Sequence, residues 1–388
     1  MSLEDLSLYF RPLSSLEVSN EVGTIGHKTE FYVDEFPEIE KKSIVLLDCP
    51  EYRNATVYKG ISETNNRFRN YFYNLYGSEK WNFNIYDLGT ILPGEKTEDT
   101  YFALATVVSK LIKNDCLPII IGGSHDLTYG IYKGYQSLEQ TVNITNVDYK
   151  FDLGNFETSI NDNNYLSHIL TSRPCTLFNY SIIGTQQPFL SDTDMKLMDN
   201  LYFDYCRLGD LMSNFKIAEP LIRNSDILTI DMLALKALDG TSEYFTNPNG
   251  ISSETICQIA KYAGISDRLS SLLVTNCFLG TSKLNDNLLA QIMWYFIDGY
   301  SARYGDFPIS TLKDYLKFTV NLTVIDEQIV FYKSKKSERW WMEVPYPKKT
   351  KLDYKRHTIV PCNLEDYEQA MNNDIPNLWW KTFQKLLS

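Results

Sequence analysis

The chain has 388 residues, 44% apolar and 14% aromatic, enough for a substantial core, and its length allows two or three domains or one large α/β domain with appendages. Its 37 basic residues face 49 acidic ones, and the resulting formal net charge of −12 repels nucleic-acid phosphates and anionic lipid, so neither nucleic acid nor a membrane is an expected partner. No run reaches the roughly 18 apolar residues that span a bilayer. The opening MSLEDLSLYFRPL carries acids where a secretory leader carries Lys or Arg, and the seven cysteines stand singly with no C-x-x-C. A cytoplasmic protein with buried free thiols is the expectation.

Residues 1–40 are acidic and aperiodic and are expected to form an N-terminal arm lying on the body. From position 43, short β-branched or apolar runs recur at 43–49, 82–88, 117–121, 141–148, 178–185, 200–205, 226–231 and 270–276. Helical patterns separate them. In 100–115, Phe102, Ala105, Val108, Leu111 and Ile112 repeat at three or four, and 288–300 is a second example. Strands apolar along their whole length, alternating with helices, predict an α/β body over 41–319: a mostly parallel sheet covered by helices on both faces. In such sheets, sites form at the carboxyl ends of the strands.

From 320 to 347 the pattern changes to that of an antiparallel hairpin, with 334–338 as its polar turn. A basic stretch, KKTKLDYKRH, and an amphipathic end, LWWKTFQKLL, follow, so 320–388 reads as a small C-terminal extension. Its Trp340, Trp341, Trp379 and Trp380 are packing residues if buried. Exposed, they would mark a contact with another subunit or a protein partner.

Three strand ends carry candidate chemistry. The run LPIII leads into Gly122-Gly123-Ser124-His125-Asp126, which puts a histidine on a tight turn after a buried strand; alone, that is also ordinary turn and capping chemistry. The next strand ends in Asp148-Tyr149-Lys150-Phe151-Asp152, where alternate residues project to one side and let Asp148, Lys150 and Asp152 converge. A solvated, salt-bridged strand end is its plainer reading. Asp231 closes the strand DILTID. One His and three Asp from three strand ends make a candidate site for a hard cation of Mn²⁺ type.

These residues resemble the ureohydrolases, the arginase, agmatinase and formimidoylglutamase family, and most nearly formimidoylglutamase. Gly122-Gly123-Ser124-His125 is similar to the family's G-G-D-H turn, Asp148 to Asp152 to its D-A-H-x-D, and Thr229-Ile230-Asp231-Met232-Leu233 to its S-x-D-x-D. Pro248-Asn249-Gly250-Ile251-Ser252 resembles the P-G-G-[LI]-[ST] loop, and Tyr180 to Gly184 with Gln186 resembles the strand ending in G-x-R. The resemblance covers roughly residues 40–310. It implies a three-layer arginase-like fold with a central, mostly parallel eight-stranded sheet, a homo-oligomer, and hydrolysis of a linear amidine or guanidine C–N bond at two manganese ions.

The departures bear on function. Carried over, the first metal position keeps His125, Asp148, Asp152 and Asp231, whereas the second needs ligands at Lys150 and Leu233, neither of which offers a lone pair. Three carboxylates would be neutralised by one divalent cation and the Lys150 ammonium; equally, Lys150 alone could quiet a cluster that binds no metal. The family's glutamate for the substrate amidinium falls on Val274, and the proton-shuttling histidine has only His168 as a counterpart. Two readings follow. One is a catalytically silent or strongly altered member that binds a small amidine-like or amino-acid ligand or assembles with a partner. The other is a one-metal hydrolase in which Mn²⁺ works with Lys150 and His168 on an amidine such as formimidoylglutamate.

Overall fold

The structure, a computed structural model, describes residues 3–14, 18, 21–57, 67–237, 247–308, 312–323, 327–346 and 357–387. The strands are β1 Phe10–Arg11, β2 Thr29–Phe31, β3 Ile44–Cys49, β4 Ile85–Ile91, β5 Leu117–Gly122, β6 Val142–Val147, β7 Leu177–Thr185, β8 Asp204–Arg207, β9 Ile227–Asp231 and β10 Ser271–Thr275. They form one ten-stranded sheet in the order β1-β4-β3-β5-β10-β9-β6-β7-β8, with β2 also paired to β4. From β4 through β8 every pairing is parallel.

These eight strands are the eight runs found in the sequence. The remaining two come from the N-terminal arm: β1 pairs antiparallel and β2 parallel with the outer edge of β4. Two- and three-residue strands are too short to show a period, so the expected eight became ten.

Alternate residues of the central strands feed two cores. Ile44, Leu46, Ile119, Ile121, Leu272 and Val274 enter one, while Val45, Leu47, Ile120 and Leu273 enter the other. The first is covered chiefly by α2 Arg67–Tyr73, α9 Ser253–Ile265 and α10 Lys283–Ser301. Over the second lie α3 Thr97–Lys113, α4 Leu127–Gln136 and α5 Tyr165–Thr171. Burial on both faces explains why the strands are apolar throughout. Shorter helices complete the layers: α1 Ile25–Lys28, α6 Asp192–Asn200, α7 Leu208–Ser213 and α8 Ala218–Arg223.

Helix α3 turns differently from the stripe expected of it. Tyr101, Leu104, Val108 and Leu111 point inward, and Phe102 is 67% exposed. Both stripes keep helical spacing. The inward one carries Tyr101, whose hydroxyl donates to buried Asp126, beside Leu104 and Val107 in the core.

A second, four-stranded antiparallel sheet, in the order β11-β12-β13-β14, follows with β11 Tyr315–Leu322, β12 Glu327–Ser334, β13 Trp340–Glu343 and β14 Ile359–Cys362. The polar turn at 334–338 joins β12 to β13 as expected. Helices α11 Leu364–Met371 and α12 Asn377–Leu387 close the chain. Trp340, Trp341 and Trp379 are buried in this extension, whereas Trp380 is 43% exposed. Most of the basic stretch at 348–357 lies outside the described residues; His357 is described.

The extension docks on the amino ends of the body's strands. His357 Nε2 lies 2.8 Å from Thr141 Oγ1 just before β6, and its ring stacks on Phe178 in β7. Lys385 Nζ donates to Asn179 Oδ1 at 2.5 Å, and Lys381 Nζ pairs with Asp204 at the start of β8 at 3.0 Å. Arg223 donates to the carbonyls of Trp340 and Cys362 at 2.9 and 3.0 Å. Six of the seven cysteines are buried, Cys175 is half-buried, and all are free. Among the described residues, no helix is long and apolar enough to cross a membrane.

Candidate metal centre

The opposite, carboxyl ends of the central strands bring the predicted side chains together. After β5 the chain turns so tightly at Gly123 that a Cβ there would sit 1.9 Å from the Glu51 carbonyl oxygen, which excludes any side chain. Ser124 N then donates to that carbonyl at 2.9 Å, and His125 follows. Asp148 comes directly after β6, with its amide bonded to Ile183 O, and Asp231 is the last residue of β9. Because β5, β10, β9 and β6 are neighbours in that order, the four donors meet near the middle of the sheet.

His125 Nδ1 lies 3.1 Å from Asp152 Oδ2, 3.3 Å from Asp148 Oδ2 and 3.6 Å from Asp231 Oδ2. These distances lie in the ion-pair range, yet His125 Nδ1, Asp148 Oδ2 and both Asp152 carboxylate oxygens are buried without a properly aligned hydrogen bond. Ligand atoms of His125, Asp148 and Asp152 all fall within 4.8 Å of one another. Buried polar atoms are normally satisfied. Lone pairs that converge without a hydrogen are the arrangement a divalent cation satisfies, and one imidazole with carboxylates suits Mn²⁺. The donor set therefore fits such an ion.

The other side of the imidazole faces two hydroxyls, those of Tyr165 and Thr229, each 3.4 Å from Nε2. Thr229 Oγ1 donates to Asn146 Oδ1 at 2.8 Å, so toward His125 Nε2, 3.4 Å away, it can only accept. Asn146 Nδ2 faces the hydroxyls of Tyr165 and Tyr180 at 3.3 and 3.0 Å. Hydrogen on Nε2 would leave the Nδ1 lone pair for a cation shared with the carboxylates, the division of labour found in metal-binding histidines. On the far side, Asn276 Nδ2 and Leu233 N each donate to Asp231 Oδ1 at 2.9 Å, leaving Oδ2 for the cluster.

The electrostatics are those of uncompensated acids. Burial, then the charge of Asp152, raises the pKa of Asp148, with His125 opposing. Burial and Asp148 push Asp231 up to about 6. For His125, burial favours the neutral ring, but Asp148 and Asp152 outweigh it and raise its pKa. A divalent cation would relieve all three.

Lys150 stands next to this cluster, its Nζ 3.6 Å from Asp152 Oδ1 and hydrogen-bonded to Asn163 Oδ1. Burial works against its ammonium, yet Asp152 and Asp148 prevail and hold its pKa above the ordinary value. Leu233 is half-buried against the core, and Val274 is fully buried in β10. Gln186, just past β7, is buried with Nε2 unpartnered among the described residues. His168 sits one turn beyond Tyr165 in α5, bonded at 3.1 Å to the Thr158 carbonyl; its hydrogen bonds do not reach the cluster. Between Leu235 and the loop at 248–252, residues 238–246 lie outside the described residues.

Sequence reasoning missed the supporting residues Asn146, Thr229, Tyr165 and Asn276. For Asn146 and Thr229 the one available signal was polarity inside otherwise apolar strands, as in V-N-I-T-N-V and I-L-T-I-D, whereas Tyr165 opens helix α5 and Asn276 follows β10.

The profile of the arginase family matches residues 43–264, more than half of the chain. The chain belongs to the arginase family. Within it, a formimidoylglutamase of Geobacillus sp. (strain WCH70) is 26% identical over 192 residues, 46% of this chain and 58% of that protein. A formimidoylglutamase of Rhodococcus jostii (strain RHA1) is 25% identical over 204 residues, 48% and 62% respectively. The chain thus spans about three-fifths of the length of these curated relatives. Among solved structures, formimidoylglutamase from Bacillus subtilis superposes with a TM-score of 0.62 at 13% identity, covering 77% of this chain and 98% of that one. The Trypanosoma cruzi formiminoglutamase solved with Mn²⁺ gives 0.59 at 15%, covering 68% and 94%. At such identities the likeness establishes the arginase-like α/β fold, to which this family member adds its C-terminal antiparallel sheet.

Proposed function

We propose that this arginase-family protein holds one divalent cation of Mn²⁺ type on His125, Asp148, Asp152 and Asp231. In this reading Lys150 takes the place of a second cation, and the protein is silent toward linear amidines, serving to bind a small ligand. The observation that carries it is the Lys150 ammonium 3.6 Å from Asp152 Oδ1, in the berth beside four convergent donors. A protonated amine neutralises a neighbouring carboxylate but coordinates nothing. Leu233 and Val274 add no donor and no counter-charge.

A bound cation of this kind supplies Lewis acidity to an oxygen brought to it. His125 turns Nε2 to the Thr229 and Tyr165 hydroxyls and Nδ1 to the acids, Asp231 is oriented by Asn276, and Asp148 and Asp152 provide charge. Lys150 fixes the Asp152 side and supplies a donor toward solvent. The intact four-donor set favours a second reading, a one-cation hydrolase of formimidoylglutamate or a related amidine.

Metal analysis after purification with manganese, together with assays for ammonia, formamide and urea released from formimidoylglutamate, agmatine and arginine, separates the readings. One equivalent of manganese without turnover is expected. Turnover that scales with bound manganese selects the hydrolase, and two equivalents overturn both.

A further inference from the structure

We infer that Asn163 is the positioning residue of the Lys150 ammonium: it takes the hydrogen bond that Asp152 would otherwise receive, and so keeps the Asp152 carboxylate open for the cation. This deepens, and rests on, the one-cation reading above. Lys150 Nζ donates to Asn163 Oδ1 but stays 3.6 Å from Asp152 Oδ1, an ion-pair distance beyond hydrogen-bond reach. Both Asp152 oxygens accordingly lack a hydrogen bond among the described residues. An ammonium bonded directly to that carboxylate would compete with a metal for its lone pairs.

The orientation of the Asn163 amide is set from two ends. The backbone amide of Thr56 is an obligate donor, and together with the Thr56 hydroxyl it donates to Asp162 Oδ2, at 2.9 and 3.1 Å. With its hydrogen spent there, Thr56 Oγ1 accepts from Asn163 Nδ2 at 3.1 Å, which turns Oδ1 toward Lys150. At the other end Lys150, which can only donate, requires the same face of the amide. A reversed amide would set Nδ2 against an ammonium.

The backbone of Asn163 is held as firmly. Gly154 N donates to Asn163 O at 2.9 Å, and Asn163 N donates to Asn161 Oδ1 at 2.9 Å. A Cβ at Gly154 would sit 2.9 Å from Asn163 O, so the chain leaving Asp152 folds back closely on this residue. Asp162 is the second acid here. Burial raises its pKa, with the Thr56 amide and then Lys150 opposing. Lys150 thus lends charge to both Asp152 and Asp162 while its hydrogen bond goes to the neutral Asn163.

The test measures manganese affinity, bound manganese and melting temperature of the full chain in a double-substitution cycle of Asn163 and Lys150. Asn163→Leu keeps the approximate shape of the side chain and removes Oδ1, which lets Lys150 close on Asp152. Manganese affinity should fall by about ten- to a hundredfold, the worth of a hydrogen bond to a charged group, at an unchanged stoichiometry of one. Thr56→Val unlocks the amide without touching Lys150 and should lower affinity in the same direction. In a Lys150→Met background both substitutions should leave manganese affinity unaltered, because no ammonium remains to be positioned. Unaltered affinity in Asn163→Leu and Thr56→Val, or an equal loss with and without Lys150, overturns the inference and leaves the one-cation reading standing. A parent chain that binds no manganese sinks the one-cation reading, and this inference with it.

Discussion

Lys150 and Asp152 stand two residues apart where the chain bends after β6, and their side chains meet at 3.6 Å at the edge of the candidate metal centre. The same spacing that would let two ligands share a metal site here delivers one ligand and one cationic side chain.

If Lys150 and Leu233 stand where a second ion would be held, restoring donors there should restore the ion. Lys150→His with Leu233→Asp is expected to raise bound manganese from one to two equivalents, read by elemental analysis of the folded variant. A stoichiometry that stays at one would show that these two positions do not face a common berth.

The imidazole depends on its support. Thr229→Val keeps the shape of the side chain while removing the acceptor for His125 Nε2–H and the donor to Asn146 Oδ1. Loss of such an outer partner lowers metal affinity by about ten- to a hundredfold. Manganese titration of this variant should show that loss with an unchanged stoichiometry; unchanged affinity would mean that the Nε2 contact does not set the tautomer.

The convergence of His125, Asp148, Asp152 and Asp231 was legible because parallel strands deliver their last residues to one edge. Asn146 and Thr229 were not, because a hydrogen-bonded polar residue inside a buried strand has no spacing that distinguishes it from a structural one. Phe102 was misplaced because two adjacent stripes of α3 are both apolar; the one that packs inward buries Leu104, Val107 and Tyr101, whose hydroxyl donates to Asp126. The last strand, Ile359–Cys362, is four residues long beyond a basic stretch, too short to show alternation. Docking of the extension at the strands' amino ends arises from long-range contacts such as His357 on Phe178, which no local pattern announces.

That docking places the extension and the metal centre at opposite ends of the sheet, so they should respond separately. Arg223 is buried, lies 4.6 Å from the Trp341 ring centroid, and donates to two extension carbonyls. Arg223→Met leaves those carbonyls unsatisfied, which should cost about 2–4 kcal/mol. Urea unfolding should register the loss and limited proteolysis should release the region after residue 312, with manganese stoichiometry unaltered. A parallel loss of manganese would show that the two ends are coupled.

Lys385 gives the docking a pH signature. Burial, opposed by Asp204 and reinforced by Lys381, pushes its pKa down from 10.5 to about 8. Between those values the unfolded chain binds the proton that the folded protein lacks, so stability rises with pH across this window. The penalty for charging Lys385 is fully present below about pH 8 and gone above 10.5. One proton corresponds to a slope of at most about 1.4 kcal/mol per pH unit. Buried tyrosines and cysteines with raised pKa values bend the curve the other way at high pH, but they are common to the parent and to Lys385→Met and cancel in the difference. The parent should therefore gain stability relative to Lys385→Met from pH 8 to 10, whatever constant offset the lost bond to Asn179 adds. Parallel stability curves for the two proteins over that interval would mean that Lys385 stays charged in the folded state, with Asp204 and Asn179 compensating its burial.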